Sequence, residues 1–264
     1  MNGPNPISVL LSILRARRLA PPQPTGSERF DHSPLSPVLA AVAESGIDEL
    51  GSHASTLRGY LESLATVDPD DLTRSEALAY WINLYNAAVL DLAHRARRGQ
   101  HESVLDVTGG FDSPVIRVGD EDLSLNGIEH GKIRRFGDPR IHSALVCGSL
   151  SCPTLRFEPF GGDSLHHQLE EQMYHFLATG GFVAHRDASK VELSRTLLWY
   201  GSDFVRPNRM PTLLPAGRRQ VAAAIATWLA REDATWLLET KPKIEFQTYD
   251  WALGCAVRNR PESA

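Results

Sequence analysis

The sequence predicts an α+β fold, with helices packed on a small mixed or antiparallel sheet, and three observations predict it. A strong helical pattern occupies residues 73–98. Several short extended runs, broken by glycines, follow it. Residues 140–147 form a nearly continuous apolar run closed by Gly148 and Ser149, which reads as a strand buried on both faces. That strand is expected to belong to the sheet and to pack on the long helix.

With 264 residues, 42% of them hydrophobic, the chain can bury a sizeable core as one large or two small domains. Residues 1–36 read as an arm and linker, 37–254 as a single α+β domain and 255–264 as a tail. A formal net charge of −5 gives no reason to expect nucleic acid or an anionic membrane as a partner. Three cysteines make no disulfide framework, and no run is long and apolar enough to span a bilayer. The expected location is the cytoplasm, with no cofactor and with a small molecule or peptide as substrate.

Taken in order, Ile7 to Leu14 is apolar and is followed by Arg15, Arg17 and Arg18, the reverse of a secretory signal's charge order, so export is not expected. The segment can dock on the body or on a second subunit. The stretch APPQPTGSERFDHSPLSP reads as a linker or extended arm. Residues 37–45 and 53–65 read as helices, the second with Leu57, Tyr60, Leu61 and Leu64 at helical spacing. Thr73 and Glu76 fit a capping box. Behind it Trp81, Ile82, Tyr85, Ala88, Val89 and Leu92 form one broad stripe, and Arg95, Arg97 and Arg98 close the helix before Gly99. Asn83 and Asn86, three apart, share a side of this helix and either tie it to a loop or bind a substrate carbonyl.

Residues 104–107, 115–118 and 122–124 read as short extended pieces of a β-ribbon. Residues 125–135 read as a short helix capped by Asn126 and carrying Glu129 and His130 side by side. Lys132, Arg134 and Arg135 form a solvated face or neutralise an acidic substrate. A helix beginning at Asp163 or Ser164 runs to Leu177, with His166, His167 and His175 off its apolar stripe. Residues 182–185 and 190–193 read as a hairpin. Trp199, Tyr200 and Phe204 read as core, and Asp203 among them has to be paired or exposed. Residues 215–230 read as a helix and 243–248 as a strand.

Chemistry concentrates in DPRIHSALVCGSLSCPTL, residues 138–155, which places His142, Cys147 and Cys152 in one short run. Strand alternation would put Cys147 and His142 on opposite faces. Cys152 lies in the turn that follows, where functional side chains are held at the end of a rigid element, and it is the preferred nucleophile. The alternative for both cysteines is packing, since free Cys behaves as a small hydrophobe. A disulfide between them is geometrically possible, although a cytoplasmic setting argues against a stable one. The spacing matches no recognised zinc motif, and no metal is expected. No Gly-rich phosphate loop, G-x-S-x-G or H-E-x-x-H occurs.

The blocks AYWINLYNAAVL, NGIEHGKIRR, IHSALVCGSLSCPTL, LLWYGSDF and YDWALG, in this order between residues 57 and 254, resemble the domain of unknown function 547 family. The resemblance implies a fold unit more firmly than a reaction, and some plant members join the unit to a leucine-zipper region.

Two functions follow. In one, the protein is a cysteine-dependent hydrolase or acyl transferase, papain- or transglutaminase-like, in which Cys152 or Cys147 is activated by His142 or His130 and oriented by Glu129, Asn83 or Asn86. In the other, it is a non-catalytic binding or scaffold module whose Cys–His cluster is structural or holds a ligand or metal.

Overall fold

The computed structural model describes residues 6–255. Helix α1 (Pro6–Ala16) precedes an extended arm, and α2 (Ser36–Ser45), α3 (Ala54–Leu64) and α4 (Arg74–Arg98) follow. Strands β1 (Pro114–Val118) and β2 (Glu121–Ser124) lead into α5 (Leu125–Gly131) and the single turn α6 (Ile141–Ala144). Helix α7 (Leu165–Phe176), strands β3 (Phe182–His185) and β4 (Lys190–Leu193), and the short α8 (Arg195–Trp199) and α9 (Gly201–Val205) come next. Helices α10 (Arg218–Ile225) and α11 (Arg231–Thr240) and strand β5 (Lys243–Phe246) complete the fold. The class is α+β, and no helix among the described residues is long and apolar enough to cross a membrane.

Helix α4 is the hub. Thr73 Oγ1 accepts from the Glu76 amide at 3.2 Å, the first half of the expected capping box, but the Glu76 carboxylate is turned instead to the Gly162 amide at 2.8 Å. At the other end the Arg95 and Arg97 carbonyls accept from the Gly99 amide. Every residue from Glu76 to Leu90 is buried, so the single stripe expected from spacing is in fact an all-round packing surface. The reason is enclosure: α3, α5, α7 and the short turns Gly46–Gly51, Val104–Asp106 and Ile133–Phe136 all pack on it. Ala77, Ala79, Ala87, Ala88 and Ala93 keep it slim enough for that approach.

Sheet structure is peripheral. β1 and β2 form an antiparallel ribbon with Val118 opposite Glu121 and Ile116 opposite Leu123. β3 and β4 form the expected hairpin, Phe182 opposite Leu193, and β5 adds to β4 in parallel to give a mixed sheet. Two apolar clusters result, one around α4 and one joining α10, α11 and the mixed sheet. Helix α7 serves both, with Leu165 and Leu169 in the first and Met173 and Phe176 in the second.

Several expectations are corrected. Residues 140–147 are not a strand and belong to neither sheet. The Asp138 carboxylate accepts from the Arg140 amide at 3.0 Å, Pro139 starts the turn, and the Ile141 and His142 amides bond back to the Asp138 and Pro139 carbonyls. A short apolar run cannot be told from a buried helical turn by periodicity alone, and the Asp-Pro start decides it here. Residues 104–107 hold a single tight turn, Val104–Asp106, whose Leu105 amide is capped by Ser103 Oγ at 3.2 Å. Helix α5 is capped by Ser124, not Asn126, whose amide donates to Asp112 at 2.7 Å. The helix expected over 215–230 is shorter, and α11 was not anticipated.

Candidate functional site

The segment carrying the cysteines is fixed from α4 by two asparagines. Asn86 donates to the Ala144 carbonyl at 3.0 Å and accepts from the Val146 amide at 3.1 Å. Asn83 does the same for Phe160, donating to its carbonyl at 2.7 Å and accepting from its amide at 2.9 Å. Each amide group thus clamps one stretch of main chain that has no helix or strand partner of its own.

Beyond Val146 the chain turns at Gly148, whose φ of +73° lies in the left-handed region. A Cβ there would also come within 2.8 Å of Val104, so only glycine fits. The loop then pairs with the C-terminal segment: the Leu150 amide donates to Ala252 at 3.0 Å, the Gly254 amide to Gly148 at 3.2 Å and the Asp250 amide to Ser151 Oγ at 2.8 Å. This pairing delivers Tyr249 to the two sulfurs.

Cys147 and Cys152 form a disulfide five positions apart. The Cys147 amide donates to Cys152 Sγ at 2.8 Å. Tyr249 OH lies 2.9 Å from Cys147 Sγ and 3.2 Å from Cys152 Sγ, and Ser149 Oγ lies 3.0 and 3.6 Å from the same atoms. Ser149 Oγ and Tyr249 OH are also 3.0 Å apart, so the serine can donate to the tyrosine while the tyrosine donates to sulfur. Burial pushes the Tyr249 phenol up, Ser149 opposes this, the Glu129 carboxylate adds to it, and the phenol stands at about 12, a donor at neutral pH.

A second buried polar network centres on Asp203. Asp203 on α9 is fully enclosed and accepts from Arg134 through two bonds, Nε to Oδ2 at 2.8 Å and Nη2 to Oδ1 at 3.0 Å. His142 Nε2 lies 2.9 Å from Asp203 Oδ2. Burial pushes the Asp203 carboxyl up, but His142 and Arg134 outweigh it and hold the group at about 2. Being ionised it can only accept, so His142 Nε2 carries a proton. Tyr200 stacks on this imidazole, ring centres 4.0 Å apart and planes 17° apart.

His130 is arranged differently. Arg134 Nη1, which can only donate, lies 3.1 Å from His130 Nδ1, so that nitrogen is an acceptor and the ring is neutral. Burial lowers His130 to about 4 despite Glu129 beside it, and Arg134 adds to the lowering. Glu129 accepts from Tyr85 OH at 3.2 Å. Burial raises the Glu129 carboxyl, but His130, the Tyr200 hydroxyl, His142 and Arg134 together hold it below its ordinary value. Tyr85 and Tyr200 are pushed well up by burial and by Glu129.

Cys147 and Cys152 therefore stand together with Ser149 and Tyr249, while Glu129, His130 and His142 form a second group with Tyr85, Tyr200, Arg134 and Asp203. Asn83 and Asn86 meet main chain rather than either group. Arg134, expected on a solvated face, is buried. Asp203 was legible as an acid in need of a partner, whereas Ser149 and Tyr249 carried no local signal beyond lying in quoted blocks. Among the described residues no group of three or more His, Cys, Asp or Glu is arranged to hold a metal ion.

No curated protein and no solved structure matches the chain. A family model described as Protein of unknown function, DUF547 matches residues 69–177, a shorter span than the sequence blocks that resemble it. The matched span includes Asn83, Asn86, Glu129, His130, His142, Cys147 and Cys152 and leaves Asp203 and Tyr249 outside. Over residues 69–177 the chain is similar to the domain of unknown function 547 family.

Proposed function

We propose that the domain is a cysteine-dependent hydrolase or acyl transferase whose nucleophile, Cys152, is released by reduction of the Cys147–Cys152 bridge. The observation that carries this reading is the main-chain donor: the Cys147 amide points at Cys152 Sγ at 2.8 Å, and among the described residues no main-chain amide donates to Cys147 Sγ. Donors aimed at sulfur favour the thiolate, the form that attacks. The bridge closes so short a loop that it contributes only about 2 kcal/mol in chain-entropy terms, little for a structural staple. In the cytoplasm, the location expected from composition, such a bridge would be transient.

A dithiol reductant opens the bridge, giving up two electrons and two protons, becoming a disulfide itself and leaving two thiols. The Cys152 thiolate then forms a bond to an acyl carbon, and the leaving group departs with a proton from an imidazole. His142 is the proposed base and acid because a carboxylate, Asp203, orients it, whereas His130 Nδ1 is held by the Arg134 cation. Water or another acceptor then breaks the thioester. Glu129 and Tyr85 shape the network, and Asn83 and Asn86 position the loop instead of touching substrate. In this reading residues 37–254 act as one domain.

The non-catalytic reading draws on the saturation of both asparagines and of Asp203. The two separate on one experiment: the reduced protein is incubated with nitrophenyl acetate and its intact mass recorded. An acetyl adduct on Cys152, absent from Cys152→Ser and slowed in His142→Gln, supports the enzyme. Equal acetylation of wild type and Cys152→Ser supports the scaffold.

A further inference from the structure

A cavity of about 600 Å³ lies between the arm and the body, away from the cysteines. Its size is that of a small-molecule site. Trp81, Val118, Leu123 and Phe136 give it apolar walls, and Lys132 and Arg135 bring two cations to it. Lys132 Nζ sits 5.6 Å from the centre of the Trp81 ring and is paired with Glu121.

Arg135 is the unusual member. Its Nη1 donates to the Gly131 carbonyl at 3.2 Å and its Nη2 to the Ala20 carbonyl, both neutral acceptors. Its Nε is buried and has no partner among the described residues. A buried donor without a partner is costly, and one on a guanidinium more so, because the charge keeps its desolvation penalty uncompensated. Burial accordingly pulls the Arg135 pKa below its ordinary value, with Glu121 and Asp70 opposing only in part.

The arm closes the cavity on one side. Residues 19–24 line it, and three of them are prolines with no amide to donate. The arm is held through its carbonyls instead, Ala20 by Arg135 and Pro22 by Arg74. Asp68 and Asp70 line another part of the cavity and disfavour a second negative charge there.

We propose that this cavity binds an apolar monocarboxylate, its carboxylate beside the Arg135 guanidinium and Lys132 and its apolar body against Trp81, Phe136 and Leu123. The carboxylate supplies the countercharge that the neutral Gly131 and Ala20 carbonyls do not give Arg135. The aspartates restrict the ligand to one anionic group. A neutral analogue of the same shape leaves the guanidinium short of a charged partner.

The test is calorimetric titration of the full chain with naphthoate and with its neutral counterpart naphthamide. Naphthoate binds with one site per chain, and naphthamide binds about tenfold or more weakly, the weight of a charge-assisted hydrogen bond. Arg135→Gln and Lys132→Gln each weaken naphthoate by a similar factor, while Cys152→Ser leaves it unchanged and so separates this site from the thiol reading. Absence of saturable binding, equal binding of acid and amide, or unaltered binding in both cation variants overturns the proposal.

Discussion

The two histidines of the buried network have opposite assignments because their partners can only donate or only accept. Arg134 fixes His130 as a neutral acceptor, and Asp203 fixes His142 as a donor through Nε2. This makes the fold sensitive to acid in a defined window. His130 is lowered from 6.5 to about 4 in the folded protein, so between those values the unfolded chain binds the extra proton and the folded one does not. Stability is therefore intact above about pH 6.5 and falls as the pH drops towards 4, by up to about 3 kcal/mol. Asp203, lowered from 3.8 to about 2, adds a further loss below pH 4. Urea unfolding at several pH values checks this: His130→Gln should remove most of the slope between pH 6.5 and 4, and an unchanged slope would place the titrating group elsewhere. The Arg134–Asp203 pair was half legible, since an acid among Trp199, Tyr200 and Phe204 needs a partner, but which of the cations would reach it depends on tertiary contact.

At the scale of elements, α4 and its cap were readable from spacing alone, because a long amphipathic pattern with Thr73 before it and Gly99 after it has few alternatives. The turn α6 was not, since residues 140–147 are apolar at every position that a strand or a buried turn would require. The Asp138-Pro139 start was the signal that favours the turn. What the sequence lacked was the other half of the clamp, the loop that Asn86 holds. Asn86→Ala leaves the Val146 amide and the Ala144 carbonyl without their partner in a dry interior, and we expect a loss of about 2–5 kcal/mol in denaturant unfolding. A change below about 1 kcal/mol would mean that the loop finds other partners. The same variant should also disturb the cysteine turn, which begins at the next residue.

For the whole molecule, two apolar clusters share α7, and the polar network crosses between them, from Arg134 and His142 on the first side to Asp203 on the second. The cysteine loop is joined separately to the C-terminal segment, which places Tyr249 on the sulfurs from about a hundred residues away. Such long-range pairing has no local signature, so the two cysteines were legible in residues 147–152 while the hydroxyls that surround them were not. Once the bridge is open, this surrounding should favour a thiolate at Cys152. This is tested most directly by the alkylation rate of the single remaining thiol against pH, in Cys147→Ser and in Cys152→Ser, each with Cys255→Ser. Cys152 is expected to react with a pKa at least about one unit below the ordinary 8.5 and lower than that of Cys147. A Cys152 thiol that titrates at or above about 8.5, or no lower than Cys147, would contradict it.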